Sequence, residues 1–62
     1  MNNIKAIRNR RNLSAEHVAR ELGVTRQTVM NWEAGKTEPG VSQIRAMCTL
    51  FGVTAEELLE VG

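Results

Sequence analysis

The 62-residue chain has a single cysteine, Cys48, and a single histidine, His17. One cysteine excludes an intrachain disulfide. One Cys and one His fall short of the four ligands that a structural zinc site usually takes. Aromatic residues are scarce: Trp32 and Phe51 stand alone, with no tyrosine. No run alternates β-branched and aromatic residues, so no strand is predicted. Nothing approaches the roughly 18 apolar residues of a membrane span. Met1 to Arg11 is polar and basic with no apolar run behind it, which argues against a signal peptide. The fold is therefore expected to rest on apolar packing, alone or helped by self-association. Chains this short bury only about 60% of the surface that their unfolded form exposes. One domain over residues 1–62 is the expected organisation, and helical packing suits it because few long-range contacts are needed.

The net charge is only +1, yet its distribution is uneven. Up to residue 36 the cations are Lys5, Arg8, Arg10, Arg11, Arg20, Arg26 and Lys36, against Glu16, Glu21 and Glu33, a balance of +4. Beyond it, Arg45 stands against Glu38, Glu56, Glu57 and Glu60, a balance of −3. Such a split suggests one cationic face for a polyanion and one face turned away from it. Chance and ordinary solvated helix surfaces produce the same split, and charge alone does not separate the two readings.

The chain punctuates itself into five short helices, an all-α pattern without repeats or low-complexity tracts. Asn3 to Arg11 sets Ile4 and Ile7 at helical spacing. Asn12 is a suitable stop, because Asn tolerates the left-handed conformation. Ser14 is a favoured N-cap for a second helix, with Glu16 complementing the dipole in its first turn. Val18, Ala19 and Leu22 form its apolar stripe, and Gly23 ends it. Thr25 caps a third helix that runs to about Glu33, with Val29 and Trp32 on its buried side. A polar loop, Lys36 to Gly40, carries the sole proline, Pro39. A fourth helix follows with Val41, Ile44, Met47, Cys48 and Phe51 at spacings of three and four, closed by Gly52. Thr54 and Glu57 form a predicted capping box for a short fifth helix carrying Leu58 and Leu59.

The most informative segment is Ala15 to Trp32. Two short helices flank a glycine connection, with Ala19 four residues before Gly23. Helices that cross steeply approach closely, so a small residue such as Ala19 is needed near the crossing. The tight turn needs positive φ, which Gly23 supplies. Val18, Leu22, Val24, Val29 and Trp32 pin both helices to a common core, the arrangement of a helix-turn-helix. With Ile7-Arg8, Leu13-Ser14, the run Leu22 to Lys36, Pro39, Phe51 to Thr54 and Glu57 to Leu59, the chain resembles the helix-turn-helix family of phage repressors and Cro proteins, the xenobiotic-response-element family. The resemblance covers nearly the whole chain and is most specific from Leu22 to Lys36. It implies a lambda-repressor-like bundle whose second and third helices bind double-stranded DNA, with residues 25–33 as the recognition helix.

With Val29 and Trp32 buried, steps of 100° put Gln27, Met30, Asn31 and Ala34 on the opposite side of that helix, flanked by Arg26 and Thr28. The side chains suit base edges in the major groove. Arg26 forks onto guanine O6 and N7, and Gln27 and Asn31 each bond adenine N6 and N7. A polar, solvated helix face is the ordinary alternative. By resemblance, Arg26, Gln27 and Asn31 match base-reading positions, and Thr28 one that reaches a base or phosphate. Lys36 and Thr37 match phosphate-contacting positions. The free amides that follow Ser14 suit a second phosphate, since helix amino termini bind anions. Ser14, Thr25, Lys36, Thr37 and Arg10 thus form the expected phosphate set, although Arg10 and Arg11 equally suit plain solubility. Where many members carry Gln after the cap, this chain has Ala15, which removes a side-chain contact.

The resemblance also implies a salt bridge between Arg8 and Glu33 that holds the recognition helix, with direct phosphate contact by Arg8 as the alternative. Ala19, Gly23 and Trp32 complete the structural support. His17 projects away from the apolar stripe. Cys48 lies on the apolar side of the fourth helix and reads as a core residue. Neither has partners for catalysis. No cofactor, metal, membrane or small-molecule site is expected. The expected protein is a cytoplasmic, nucleoid-associated regulator of bacterial or phage type. It would act as a homodimer, with Leu59 and Val61 offering an exposed patch. The rival reading is an antitoxin or adaptor that keeps the fold for protein contacts, which predicts a third helix without base-reading side chains.

Overall fold

The structure, a computed structural model, describes residues 2–60. Among them are five helices and no strand: α1 Ile4–Arg10, α2 Ala15–Leu22, α3 Arg26–Ala34, α4 Val41–Phe51 and α5 Ala55–Leu59. Val61, expected in a dimer patch, lies outside the described residues.

Local chemistry sets most of the helix ends. Ser14 Oγ accepts from the His17 amide at 3.0 Å, and Thr25 Oγ1 from the Thr28 amide at 3.1 Å. Thr54 Oγ1 accepts from the Glu57 amide while Glu57 Oε1 accepts from the Thr54 amide, a complete capping box. Each cap satisfies a first-turn amide that has no partner within its helix. Asn2 serves α1 in another way: its Oδ1 accepts from the Ile4 amide, and its Nδ2 donates to the Trp32 carbonyl.

At the far end of α2, Gly23 takes φ 71°. The Val24 amide donates back to the Ala19 carbonyl and the Gly23 amide to that of Arg20. This doubly bonded ending turns the chain sharply towards α3. A Cβ on Gly23 would meet nothing within 4 Å, so backbone conformation rather than space calls for glycine here. Asn12, at φ 57°, is the non-glycine residue that takes the left-handed region between α1 and α2.

Ile4, Ile7, Val18, Ala19, Val29, Trp32, Met47, Phe51 and Leu58 form one buried core, with Ala15 at its margin. Leu13, Leu22, Val24, Ile44 and Cys48 pack half-buried against it. Full burial of one such aliphatic or aromatic side chain stabilises by about 1.5–3 kcal/mol. The helix pair α2–α3 is the most closely packed, α4 lies against α2 and α5, and α1 against α3 and α5. The amino-terminal stretch is stitched to α5, because the Asn3 amide donates to the Leu58 carbonyl and Asn3 Nδ2 to that of Glu57.

Three details depart from the sequence pattern. The third helix starts after the Thr25 cap as expected but runs one residue past Glu33, with Ala34 completing the last turn before Gly35 takes φ 76°. The first helix stops at Arg10 rather than Arg11. Val41 belongs by spacing to the apolar stripe of α4 but is 70% exposed. As the first residue of α4, it precedes the first half-buried stripe position, Ile44, by a full turn.

Candidate nucleic-acid interface

α3 is held by its buried side and offers the other. Val29 and Trp32 are in the core, while Arg26, Gln27, Met30 and Ala34 are exposed and Thr28 and Asn31 half-buried. Capping and packing together thus present a largely polar face, in which Met30 is the large apolar side chain.

Four of the expected base-reading and cap residues fall into two hydrogen-bonded pairs. Gln27 Nε2 donates to Asn31 Oδ1 at 3.0 Å, as residues one helical turn apart can. The Thr25 and Thr28 hydroxyls lie 2.9 Å apart. Only one of them donates in that contact, so the other hydroxyl proton stays free for an outside acceptor. Ser14 Oγ spends a lone pair on its cap and likewise keeps its proton.

A groove of about 330 Å³ runs between α1, the start of α2 and α3, lined by Lys5, Ser14, Glu16, Arg26, Met30 and the Arg8–Glu33 pair. It brings Ser14 and Arg26 together and adds Lys5, a residue that the sequence pattern did not single out. Helical spacing places Lys5 next to Ile4 in the first turn of α1, but only the packing of α1 against α3 sets it across from Arg26. Lys36 and Thr37 line a separate hollow of about 550 Å³ with Asn2, Glu38, Pro39 and Leu59. The Lys36 amide donates to the Asn31 carbonyl at 2.9 Å, which joins this loop to the end of α3. Arg10 is exposed at the end of α1 and lines neither hollow.

Behind this surface, Arg8 Nε lies 2.7 Å from Glu33 Oε2, and both side chains are about nine-tenths buried, at 11% and 7% exposure. Arg8 Nη1 donates to the Leu13 carbonyl at 2.8 Å, so three guanidinium N–H groups face protein acceptors. Arg11, at the end of α1, is exposed but bonded. Its Nε donates to the Phe51 carbonyl at 2.7 Å and so caps the last turn of α4, where a cation also complements the helix dipole. Its partner is 40 residues away in sequence, and no local pattern marks the pairing.

The fold and this face define a helix-turn-helix DNA-binding domain. The chain belongs to the helix-turn-helix family: the family pattern matches residues 4–58, nearly the whole chain. The match is to the Cro- and repressor-like type of helix-turn-helix, a DNA-binding domain. It is 34% identical over 56 residues to the HTH-type transcriptional activator BcrR of Enterococcus faecalis, covering 90% of this chain but 28% of that protein. It is 37% identical over 57 residues to an HTH-type transcriptional regulator of Methanocaldococcus jannaschii, covering 92% of this chain and 86% of the other. The P22 c2 repressor protein, solved in complex with a synthetic operator, superposes with a TM-score of 0.84 at 23% identity, covering 92% of this chain and 86% of that one. A transcriptional regulator from Listeria innocua superposes with a TM-score of 0.87 at 23% identity, covering 97% of this chain and 56% of that one. At that identity the likeness is one of fold.

Proposed function

We propose that this domain regulates transcription by reading a specific duplex site, with α3 in the major groove. Arg26, Gln27, Thr28 and Asn31 contact base edges, which carry the sequence information. Ser14, Thr25, Lys36, Thr37 and Arg10 contact phosphates, and Lys5 joins them from α1. Arg8 with Glu33, Ala19, Gly23 and Trp32 hold α3 at its angle. The observation that carries this reading is the exposed polar face of α3, flanked by the Lys5–Ser14–Arg26 groove on one side and the Lys36–Thr37 loop on the other. Its amide and guanidinium side chains match base edges in the major groove, which an adaptor role would not call for.

One domain makes few base contacts, so useful selectivity calls for two copies on a two-fold-related site. The half-sites would lie about 34 Å apart on one face of the duplex. Leu59, 40% exposed on α5, is the candidate for the contact between copies. Such a regulator works in the cytoplasm on nucleoid DNA, with no cofactor in the binding step. Selection from a random duplex pool at physiological salt tests the reading. The expected result is an enriched palindrome with that spacing, and a pool that stays random overturns it.

A further inference from the structure

We infer that Asn2 is a positioning residue for DNA binding: it fixes the carboxyl end of α3, and through it the Lys36–Thr37 loop, where the loop meets the phosphates. The inference rests on the proposed reading of this face and adds a residue that acts through the loop.

Asn2 precedes α1 and is half-buried. Its amide is bonded at both ends to backbone groups. Nδ2 donates to the Trp32 carbonyl at 2.9 Å, and Oδ1 accepts from the Ile4 amide at 3.0 Å. A carbonyl only accepts and a backbone N–H only donates, so a turned-over amide would set oxygen against oxygen and N–H against N–H. The orientation of the side chain is therefore determined. The next residue anchors the same stretch to α5: the Asn3 amide donates to the Leu58 carbonyl, and Asn3 Nδ2 to that of Glu57, each at 3.0 Å. Asn2 thus reaches α3 from a fixed base.

The Trp32 carbonyl lies in the last turn of α3, where carbonyls lack partners within their own helix. The Gly35 amide takes one of its lone pairs at 3.1 Å, and Asn2 takes the other. Among the described residues, this is the one hydrogen bond that reaches the backbone of α3 from another part of the fold. The grip of Arg8 on Glu33 is made through side chains. Apolar contact by Val29 and Trp32 is non-directional and sets the depth of α3, whereas a hydrogen bond is directional and sets its position along the axis. The loop starts from the turn that Asn2 holds, since the Lys36 amide donates to the Asn31 carbonyl, one residue before Trp32. Asn2 also lines the same hollow as Gly35, Lys36 and Thr37. Binding groups held to within about 0.5 Å need such bonded support behind them.

Asn2→Ser separates the two roles of the side chain. A serine hydroxyl still accepts from the Ile4 amide, as helix caps do, but is too short to reach the Trp32 carbonyl, and it adds no charge. Affinity for a duplex enriched from the random pool is measured against salt for the wild type, Asn2→Ser, Lys36→Ala and the double variant. All are compared at a temperature where circular dichroism shows them fully folded. A neutral residue neutralises no phosphate itself, so a change in salt slope reports the lysine and not Asn2. Asn2→Ser is expected to lower the slope by roughly one unit, as Lys36→Ala does. The affinity lost between about 50 and about 200 mM salt is then roughly fourfold smaller than for the wild type. The double variant is expected to lose no more than either single one, because both act on one contact.

A folded Asn2→Ser with the wild-type slope, or a double variant that loses the sum of the two, overturns the inference. A merely structural role lowers the urea midpoint and leaves the slope of the folded protein unchanged. Should Asn2→Ser fail to fold, Asn2→Thr takes its place and is read in the same way. Lys36→Ala with an unchanged slope removes the loop from the phosphates and the inference with it. A wild type that enriches no sequence defeats the DNA-reading proposal itself, which keeps the two failures apart.

Discussion

The Arg8 guanidinium grips the Glu33 carboxylate with two nitrogens, Nε at 2.7 Å from Oε2 and Nη2 at 3.3 Å from Oε1. A third nitrogen, Nη1, holds the Leu13 carbonyl. One side chain of α1 thereby ties together the last turn of α3 and the loop that leads into α2. Glu33 follows Trp32 directly, so the core anchor and the polar clamp act on the same turn of α3.

Breaking this pair from one side leaves a buried charge without its partner, which typically costs about 3–5 kcal/mol. A domain of this size has on the order of 3–9 kcal/mol of stability, at roughly 0.05–0.15 kcal/mol per residue. Arg8→Ala and Glu33→Gln are therefore expected to be strongly destabilised in urea titrations. The double replacement Arg8→Met with Glu33→Leu is expected to recover much of the loss, because apolar groups of similar volume need no partner. Single variants as stable as the wild type would show the pair to be dispensable.

Arg26 is exposed, with no hydrogen bond or ion pair among the described residues. Arg26→Ala is expected to leave folding intact and to cost about 1–3 kcal/mol on the preferred duplex, with selectivity relaxed at one base pair. Competition binding against singly substituted duplexes measures this. A loss of equal size on every sequence would move Arg26 from the base set to the phosphate set.

For Lys5 and Lys36 the readout is salt. Each is expected to neutralise one phosphate, so Lys5→Ala or Lys36→Ala should weaken binding to all sequences and reduce the slope of log K against log salt by roughly one unit. The double variant should lose about two units. Titrations between low and physiological salt give the slopes, and an unchanged slope removes that lysine from the interface.

Gly23 separates two reasons for a glycine. Space is open around it, while φ is 71°. Left-handed backbone costs an ordinary L-residue roughly 1–2 kcal/mol, and asparagine tolerates it better. Gly23→Ala is thus expected to destabilise by about that amount, with Gly23→Asn closer to the wild type, as judged by urea midpoints at a constant slope. Equal losses for Ala and Asn would point to crowding instead.

Much of the site was legible before the fold. The outward position of Arg26, Gln27 and Asn31 follows from the 3.6-residue period once Val29 and Trp32 are taken as buried. Resemblance to the repressor family paired Arg8 with Glu33, yet gave no hint that the Leu13 carbonyl completes the grip. Lys5 went unread because its place opposite Arg26 depends on how α1 lies against α3.

Where the helices start and stop is written locally in the chain. Ser14, Thr25, Thr54, Asn12, Gly23, Gly35 and Gly52 act on backbone groups within a few residues of themselves, and such interactions need no knowledge of the rest of the molecule. Packing settles what the period cannot: that Leu58 is fully buried and Leu59 exposed, that Val41 lies outside the core, and that Arg11 caps Phe51. Each of these depends on residues far apart in sequence, and only the assembled helices bring them within hydrogen-bonding or van der Waals range.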